Sequence, residues 1–171
     1  MALNGKKIAL FVADLYNEHE FWYPYYRLLE EGAELVVIGP EKKSYHAKGG
    51  MLAASDVAIS DVSAAVFDGL LIPGGYAPDY MRRSHEMVDF VRDIFEAGKP
   101  VAVICHAGWM LCSAGVAKGK NLTSYFAIKD DLINAGANWE DSEVVVDGNL
   151  ITARSPKDLP AFMKAFIASL S

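Results

Sequence analysis

Cysteine and long hydrophobic runs are scarce in this sequence of 171 residues, and each scarcity excludes a class of protein. The two cysteines, Cys105 and Cys112, lie seven positions apart on one predicted turn and helix. A helix of that length spans about 10 Å, whereas a disulfide needs Cα atoms roughly 4.4–6.8 Å apart. Both thiols are therefore predicted to be free, as is usual in a reducing compartment.

The longest early apolar run, Ile8–Ala13, is too short for a signal peptide or a membrane span, which need at least about 7 and about 20 residues. We expect a cytoplasmic protein that does not insert into a membrane.

Blocks of basic residues are also missing. Acidic and basic residues are interspersed and the net charge is −6, whereas nucleic-acid-binding proteins carry a clustered basic face. Nucleic acid is therefore not an expected partner. The glycine patterns of dinucleotide and nucleoside triphosphate sites are absent too. His19, His46 and His85 have no spacing typical of metal ligands, so we expect neither a cofactor nor a metal.

Short apolar runs alternate with helical patterns along the chain, without a repeat or linker between them. Buried strands are predicted at Lys6–Ala13, Leu35–Ile38, Gly69–Ile72 and Val101–Ile104. Helices are predicted at Glu18–Glu31, His85–Ala97, Ala107–Ala114, Ile128–Asn134 and Asp158–Leu170. This alternation indicates an α/β fold in which helices cover both faces of a mostly parallel sheet. We expect one domain over residues 1–171.

Two turn signals complete the pattern. Asp147-Gly148 predicts a hairpin between Val144–Val146 and Leu150–Thr152. The pattern between Tyr45 and Ile59 is ambiguous, although Gly49-Gly50 indicates a turn between short strands.

Three segments with unusual chemistry follow predicted strands: Asp14–Glu20, Pro73–Asp79 and Cys105–Gly108. Ligands of parallel α/β sheets bind at the carboxyl ends of the strands. We therefore expect the three segments to form one site.

Cys105 lies where a buried strand passes into a helix without a loop, with small residues around it. This arrangement resembles the nucleophile elbow, with cysteine in place of serine. The amides and dipole at a helix N-terminus favour a thiolate, so we expect a lowered pKa for Cys105. The alternative is that Cys105 is only a small buried apolar residue. Its position at the junction of strand and helix, followed by His106, makes this alternative less favoured. Cys112, in mid-helix, is predicted to be structural.

Several motifs resemble the PfpI family of intracellular protease-like proteins, in the class I glutamine-amidotransferase-like superfamily, and they occur in order between about Lys6 and Phe162. They are Ile104-Cys105-His106, Leu71–Gly75, Ala77–Asp79, Lys129–Gly136 and Glu143–Asp147. The resemblance implies a flavodoxin-like three-layer sandwich with Cys105 as nucleophile and His106 beside it. It also implies that Glu20 hydrogen-bonds the sulfur and that the Gly75 and His106 backbone N–H groups form an oxyanion hole.

The resemblance further implies a homo-oligomer, a dimer or a hexamer, in which an acid from a neighbouring subunit orients the histidine. The matching position here is Asp79, where the family often has glutamate. A second departure from the family's usual sequence is Ala107-Gly108, where Gly-Pro usually follows the Cys-His pair. The alanine adds a methyl group at the turn, and Trp109 could then form part of the pocket wall. From the residues alone, three alternatives stay open. Glu18 is the second choice, after Glu20, for the acid beside Cys105, and Gly74-Gly75 could be only a tight turn. The tyrosines either line the pocket or pack in the core: Tyr16, Tyr76 and Tyr125.

Three functions stay open. The first is a cysteine-dependent enzyme of stress protection that acts on reactive carbonyls, as a glutathione-independent glyoxalase or a deglycase. The second is an oligomer-dependent cysteine peptidase acting on peptides, although consecutive side chains such as Cys105 and His106 usually diverge at a turn. The third is a redox-sensing, chaperone-like stress protein. No histidine follows His106, so the late histidine of the amidotransferase triad cannot be supplied by this chain.

Overall fold

A seven-stranded sheet forms the centre of the computed structural model, which describes residues 1–171. Its strand order is β10-β11-β7-β6-β1-β2-β5, and every neighbouring pair is parallel except β10 and β11. These strands are β1 (Lys7–Phe11), β2 (Glu34–Gly39), β5 (Val57–Ala58), β6 (Gly69–Ile72), β7 (Val101–Ile104), β10 (Val144–Asp147) and β11 (Leu150–Ala153). Two short pairs lie outside the sheet: β3 (Ser44–His46) with β4 (Leu52–Ala54), and β8 (Asn121–Leu122) with β9 (Asn138–Trp139).

Helices cover both faces of the sheet, which makes three layers. They are α1 (Glu18–Glu30), α2 (Ala77–Met81), α3 (His85–Glu96), α4 (Gly108–Ala114), α5 (Lys129–Asn134) and α6 (Leu159–Leu170). Helix α1 packs with α6, and α3 packs with α4. Because β6 and β7 are covered on both sides, every residue in them is buried. Their apolar side chains join those of the helices in one continuous core. None of the helices combines the length and the apolar character needed to cross a membrane.

The predicted elements are present, with ends shifted by a few residues. Strands β6 and β7 have the predicted bounds, and Gly49-Gly50 does lie in the turn between β3 and β4. Helix α2 and the β8–β9 pair were not predicted, because five or fewer residues are too short to show a period. The α/β fold with a mostly parallel sheet is confirmed.

The strand order brings the three predicted site segments together. Strands β7, β6 and β1 are adjacent in the sheet, and their carboxyl ends lead into 105–108, 73–79 and 14–20 respectively. The site therefore forms at one edge of the sheet, above its central strands.

Candidate active site

Cys105 occupies a strained turn between β7 and α4. Its φ is 63°, in the left-handed region that residues other than glycine rarely adopt. The residues 105–107 form a single 3-10 turn, and α4 begins directly afterwards. Small residues make this tight passage possible: a Cβ on Gly108 would lie 3.1 Å from side-chain atoms of both Ile128 and Leu132. The thiol is only 7% exposed and lies at the base of a cleft.

Gly74 and Gly75 form the opposite wall of the turn, and both are needed for close approach. A Cβ on Gly74 would lie 2.7 Å from the Cβ of Cys105, and one on Gly75 would lie 2.5 Å from the carbonyl oxygen of Leu15. Gly75 also has a φ of 76°. The N–H groups of Gly75 and His106 interact with the Cys105 sulfur, where both lower its pKa. The glycine pair is therefore more than a tight turn, since it brings a backbone donor to the sulfur.

Glu20 lies beneath the sulfur and is completely buried. Asn17 caps helix α1 by accepting hydrogen bonds from the N–H groups of His19 and Glu20, at 3.0 and 3.3 Å. Pro24 has no N–H to donate to the carbonyl of Glu20 four residues earlier, so that helical bond is missing. The Glu20 Oε2 atom accepts a hydrogen bond from the N–H of Gly74 at 2.8 Å. The other carboxyl oxygen, Oε1, is buried and has no hydrogen-bond partner. The carboxyl group as a whole nevertheless interacts with the Cys105 thiol.

Burial raises the pKa of Glu20 to about 7, and the Gly74 hydrogen bond, the Cys105 side chain and the charge of Lys48 only partly oppose the shift. The carboxyl thus exchanges its proton near neutral pH. Of the two candidate acids, Glu20 is the one that reaches the sulfur, because the Glu18 side chain instead accepts a hydrogen bond from the N–H of Gly49.

The expected lowering of the Cys105 pKa is wrong. Burial and then the negative charge of Glu20 raise the pKa of Cys105 to about 12, against the lowering effects of the Gly75 and His106 N–H groups. The amides at the start of the helix were visible in the sequence, but the burial of the thiol, which outweighs them most, and the buried carboxylate beside it were not. When Glu20 is protonated its repulsion disappears and its O–H can donate to sulfur, so a thiolate forms more readily beside the neutral acid than beside the carboxylate, although burial still raises the pKa of the thiol. The two groups therefore share their protons as a coupled pair.

His106 turns towards Cys105 instead of diverging from it. Its Nδ1 atom lies 3.3 Å from the Cys105 sulfur. The imidazole stacks on Tyr125 at a centroid distance of 4.9 Å and meets the edge of Trp109 at 5.2 Å. The indole N–H of Trp109 donates to Asp131 at 2.8 Å, which holds that ring in place. Burial and the charge of Lys48 lower the pKa of His106, so the ring favours its neutral form.

Asp79 does not contact His106 within the chain. It lies in α2, where its carboxylate forms an ion pair with Arg83 one turn later. Its expected partner was the histidine of a neighbouring subunit, and that arrangement stays a prediction.

The cleft above Cys105 has a volume of about 330 Å³. Its walls are formed by Asn17, Glu20, Lys48, Gly75, Tyr76, Cys105, His106, Tyr125, Ser155 and Pro156. Tyr76 and Tyr125 thus line it, whereas Tyr16 is buried and donates to the carbonyl of Met51 at 2.9 Å. Another cleft of about 310 Å³ lies against α3, but no cysteine or histidine lines it. No group of three His, Cys, Asp or Glu side chains could hold a metal ion.

Three residues of the cleft were not predicted from the sequence: Lys48, Ser155 and Pro156. Lys48 is 57 positions before Cys105 in the sequence, and a single exposed lysine carries no pattern that marks a site. Asn17, by contrast, lies within the predicted site segment Asp14–Glu20. Ser155 and Pro156 follow β11, the strand next to β7, so the rule for strand ends could have found them.

The sequence matches the model of the DJ-1/PfpI family over residues 6–169. The deglycase PfpI of Pyrococcus furiosus is 44% identical over 164 residues, which cover 96% of this chain and 99% of that protein. YraA of Bacillus subtilis, provisionally named a cysteine protease, is 44% identical over 159 residues, 92% of this chain and 94% of its own. The expected resemblance to the PfpI family is thereby confirmed.

Solved structures support the same fold. Drosophila melanogaster DJ-1beta superposes with a TM-score of 0.90 at 30% identity, over 96% of this chain and 90% of that protein. A two-domain protein of Anabaena variabilis, with DJ-1/ThiJ/PfpI-like and ferritin-like domains, gives a TM-score of 0.94 at 40% identity. That match covers 96% of this chain and 48% of the two-domain protein, so the chain spans about half of its length. The expected flavodoxin-like α/β fold is confirmed.

Proposed function

Because the chain belongs to the DJ-1/PfpI family, we propose that it is a cysteine-dependent enzyme acting on small reactive carbonyl compounds. The reaction is the glutathione-independent conversion of an α-oxoaldehyde to a hydroxy acid, or the removal of its early adducts. One observation carries the proposal. The Cys105 sulfur lies at the base of an open cleft, between two backbone N–H donors and a carboxyl whose pKa is about 7.

The first step is addition of sulfur to the aldehyde. The thiolate of Cys105 forms a bond to the aldehyde carbon, and the carbonyl π electrons move to oxygen. The N–H groups of Gly75 and His106, which already interact with the sulfur, are close enough to stabilise that oxyanion. Protonated Glu20 or His106 then supplies a proton, which gives a neutral hemithioacetal.

The second step rearranges the bound hemithioacetal without an external oxidant. A base, Glu20 or the neutral His106, removes the proton from the former aldehyde carbon, and a proton returns to the neighbouring ketone carbon. The aldehyde carbon becomes a thioester while the ketone carbon becomes an alcohol, so one oxidation balances one reduction. Water then attacks the thioester, which releases the hydroxy acid and regenerates the thiol of Cys105. A carboxyl with a pKa of about 7 suits these transfers, because it is present in both protonation states near neutral pH.

The test is to mix the protein with methylglyoxal and measure lactate. We expect turnover by the wild type and by Cys112→Ala, since the Cys112 thiol faces the carbonyl of Asp131 in α5 and lines no part of the cleft. Turnover should be lost in Cys105→Ala. Lactate formation at the same rate in Cys105→Ala as in the wild type would exclude this function.

A second candidate is a cysteine peptidase, which one contact favours. The His106 Nδ1 atom lies 3.3 Å from the Cys105 sulfur, within reach for a cysteine–histidine pair. The similarity to YraA, provisionally named a cysteine protease, points in the same direction. An orienting acid is still required, and we propose Asp79 of a neighbouring subunit, because Asp79 does not reach the histidine of its own chain. Hydrolysis of casein or a fluorogenic peptide that depends on Cys105 tests this candidate.

A further inference from the structure

An unpaired ammonium group lies on the wall of the Cys105 cleft. Lys48 is one of the residues that line the cleft, and no carboxylate lies within ion-pair distance of its Nζ atom. Its charge nevertheless acts on both ionisable partners of the cysteine, since it lowers the pKa of Glu20 and of His106. The field of this lysine thus extends over the reacting atoms.

The backbone holds Lys48 at this position. The N–H of Lys48 donates to the carbonyl of Tyr16 at 3.0 Å, and the next residue, Gly49, donates its N–H to the Glu18 side chain. Both anchoring residues lie in the segment that follows β1 and places Glu20. The backbone of the β3–β4 turn is therefore fastened to the site at Lys48 and Gly49.

Among the residues that line the cleft, none neutralises Lys48 while Glu20 is protonated, and the nearby Glu18 carboxylate accepts a hydrogen bond from the N–H of Gly49 outside that lining. Glu20 is the only carboxyl in the lining, and below a pH of about 7 it is protonated. His106 favours its neutral form because burial lowers its pKa. The protein as a whole carries −6, so a cleft with a net positive charge contrasts with the rest of the molecule. A positive cleft in a negative protein attracts small anions.

We propose that Lys48 selects carbonyl substrates that carry an anionic group, a carboxylate or a phosphate, and directs that group away from the carbon that Cys105 attacks. The inference rests on the proposed function, which it narrows to one substrate class. The cleft of about 330 Å³ has room for on the order of ten water-sized groups. That is enough for an α-oxoaldehyde extended by a carboxylate or phosphate. Asn17, Ser155 and Tyr125 line the same cleft and supply hydrogen bonds for such a group.

The first test needs no turnover. In a Cys112→Ala background, the rate of alkylation of Cys105 is measured with iodoacetate and with iodoacetamide, which differ mainly in charge. We expect Lys48→Met to lower the ratio of the iodoacetate rate to the iodoacetamide rate about five-fold, as one unit charge several ångströms away in a partly solvated cleft predicts. Lys48→Arg keeps the charge and should preserve most of the ratio. Lys42→Met is the matched control, because it removes the same charge from an exposed lysine that does not line the cleft.

The second test compares substrates. Methylglyoxal is the neutral probe, 4,5-dioxopentanoate carries a carboxylate, and 3-phosphooxy-2-oxopropanal carries a phosphate. We expect Lys48→Met to reduce the preference in kcat/KM for a charged probe over methylglyoxal by a similar factor. The charged probe with the larger loss identifies which anion the cleft accepts.

The outcomes separate this inference from the proposed function. An alkylation ratio that is the same in Lys48→Met and Lys42→Met would overturn the role of Lys48, even if methylglyoxal is turned over. A preference in kcat/KM that Lys48→Met leaves unchanged would overturn it as well. If none of the three aldehydes is consumed faster than by Cys105→Ala, the proposed function fails, and a reduced alkylation ratio would still assign an anion-attracting role to Lys48.

Discussion

Glu20 and Cys105 form the pair of residues on which the chemistry depends. A carboxyl with no exposed surface pays a desolvation cost whenever it ionises, and a thiol beside it cannot easily ionise at the same time. The pair therefore loses one proton near pH 7 and holds the second to about pH 12. Between these two values the remaining proton lies mainly on the sulfur, and we propose that the reactive species is the minor form in which that proton has moved to Glu20 and the thiol is ionised. A pair of this kind delivers a nucleophile and a proton donor together.

The raised pKa of Glu20 predicts that this residue destabilises the fold at alkaline pH. Its pKa is about 7 in the folded protein against an ordinary value of 4.5, so the folded state binds the proton more tightly. The stability that this proton contributes is complete below pH 4.5 and is lost as the pH rises through about 7. We expect Glu20→Gln to gain about 3 kcal/mol of unfolding free energy relative to wild type between about pH 4.5 and about pH 8.

Urea unfolding at the two pH values measures this difference. Glu96→Gln serves as the control, because Glu96 is an exposed residue at the end of α3. Its replacement should have the same small effect on the unfolding free energy at both pH values. If the difference in unfolding free energy between Glu20→Gln and wild type is the same at both pH values, the raised pKa of Glu20 in the folded protein is contradicted.

At the scale of secondary structure elements, the loop after β6 controls how closely the cysteine turn approaches the first helix. Gly75 and Gly98 have nearly the same φ, 76° and 73°, but only Gly75 is crowded. A Cβ at Gly75 would meet backbone atoms of Leu15 and Asn17 at 2.5 and 2.6 Å, whereas one at Gly98 would meet nothing within 4 Å. Backbone atoms cannot rotate away as a side chain can.

This pair of glycines gives a matched prediction. Both Gly98→Ala and Gly75→Ala should cost about 1–2 kcal/mol for the left-handed backbone. Gly75→Ala should cost a further 1–3 kcal/mol or so for the steric overlap, and it should slow alkylation of Cys105 by moving a backbone donor. Chemical denaturation and iodoacetamide labelling check the two effects. Equal stability of the two variants would mean that the loop yields freely and does not fix the site.

Much of the fold could be predicted from local signals. Strand β6 is followed by Pro73, β7 is preceded by Pro100, and both strands are apolar apart from Gly69, so these ends were visible in the sequence. The convergence of the segments that follow them was expected from the rule that ligand-binding segments gather at strand ends. Helix α2 could not be predicted, because five residues beginning Ala77-Pro78 show no helical period.

The site was harder to predict where distant residues act on one another. The sequence located Cys105 and Glu20 but not the raised pKa of the thiol, which depends on burial and on the distance between two side chains that lie 85 positions apart. It also suggested that Cys105 and His106 diverge, because the turn conformation that brings the two side chains together is not visible in composition or spacing. Lys48 enters the cleft only because Tyr16 and Glu18 fix the β3–β4 turn.

At the scale of the whole molecule, a contribution of Asp79 to the site requires a second copy of the chain. Within one chain Asp79 pairs with Arg83 and does not reach His106. The oligomer, expected as a dimer or a hexamer, therefore stays a prediction. The redox-sensing hypothesis also stays a prediction, and it depends on whether mild peroxide oxidises Cys105.

A mixing experiment tests the shared site. Cys105→Ala and Asp79→Ala chains should each be inactive as peptidases. When they are mixed under conditions that exchange subunits, sites that combine an intact Cys105 with a neighbour's Asp79 should recover part of the activity. Recovery is expected only in fractions that elute as oligomers in size-exclusion chromatography. Full peptidase activity in Asp79→Ala alone would remove Asp79 from the mechanism.

The pH dependence of Cys105 alkylation, measured with iodoacetamide in Cys112→Ala and in Cys112→Ala with Glu20→Gln, tests the central claim most directly. With Glu20 present, the rate should rise through an inflection near pH 7 and again near pH 12, because the pair releases its two protons there. In the Glu20→Gln protein, the inflection near pH 7 should vanish and a single thiol inflection should fall below pH 12, since the repelling charge is gone. Identical profiles for the two proteins would show that Glu20 and Cys105 titrate independently, and the proposed chemistry would lose its basis.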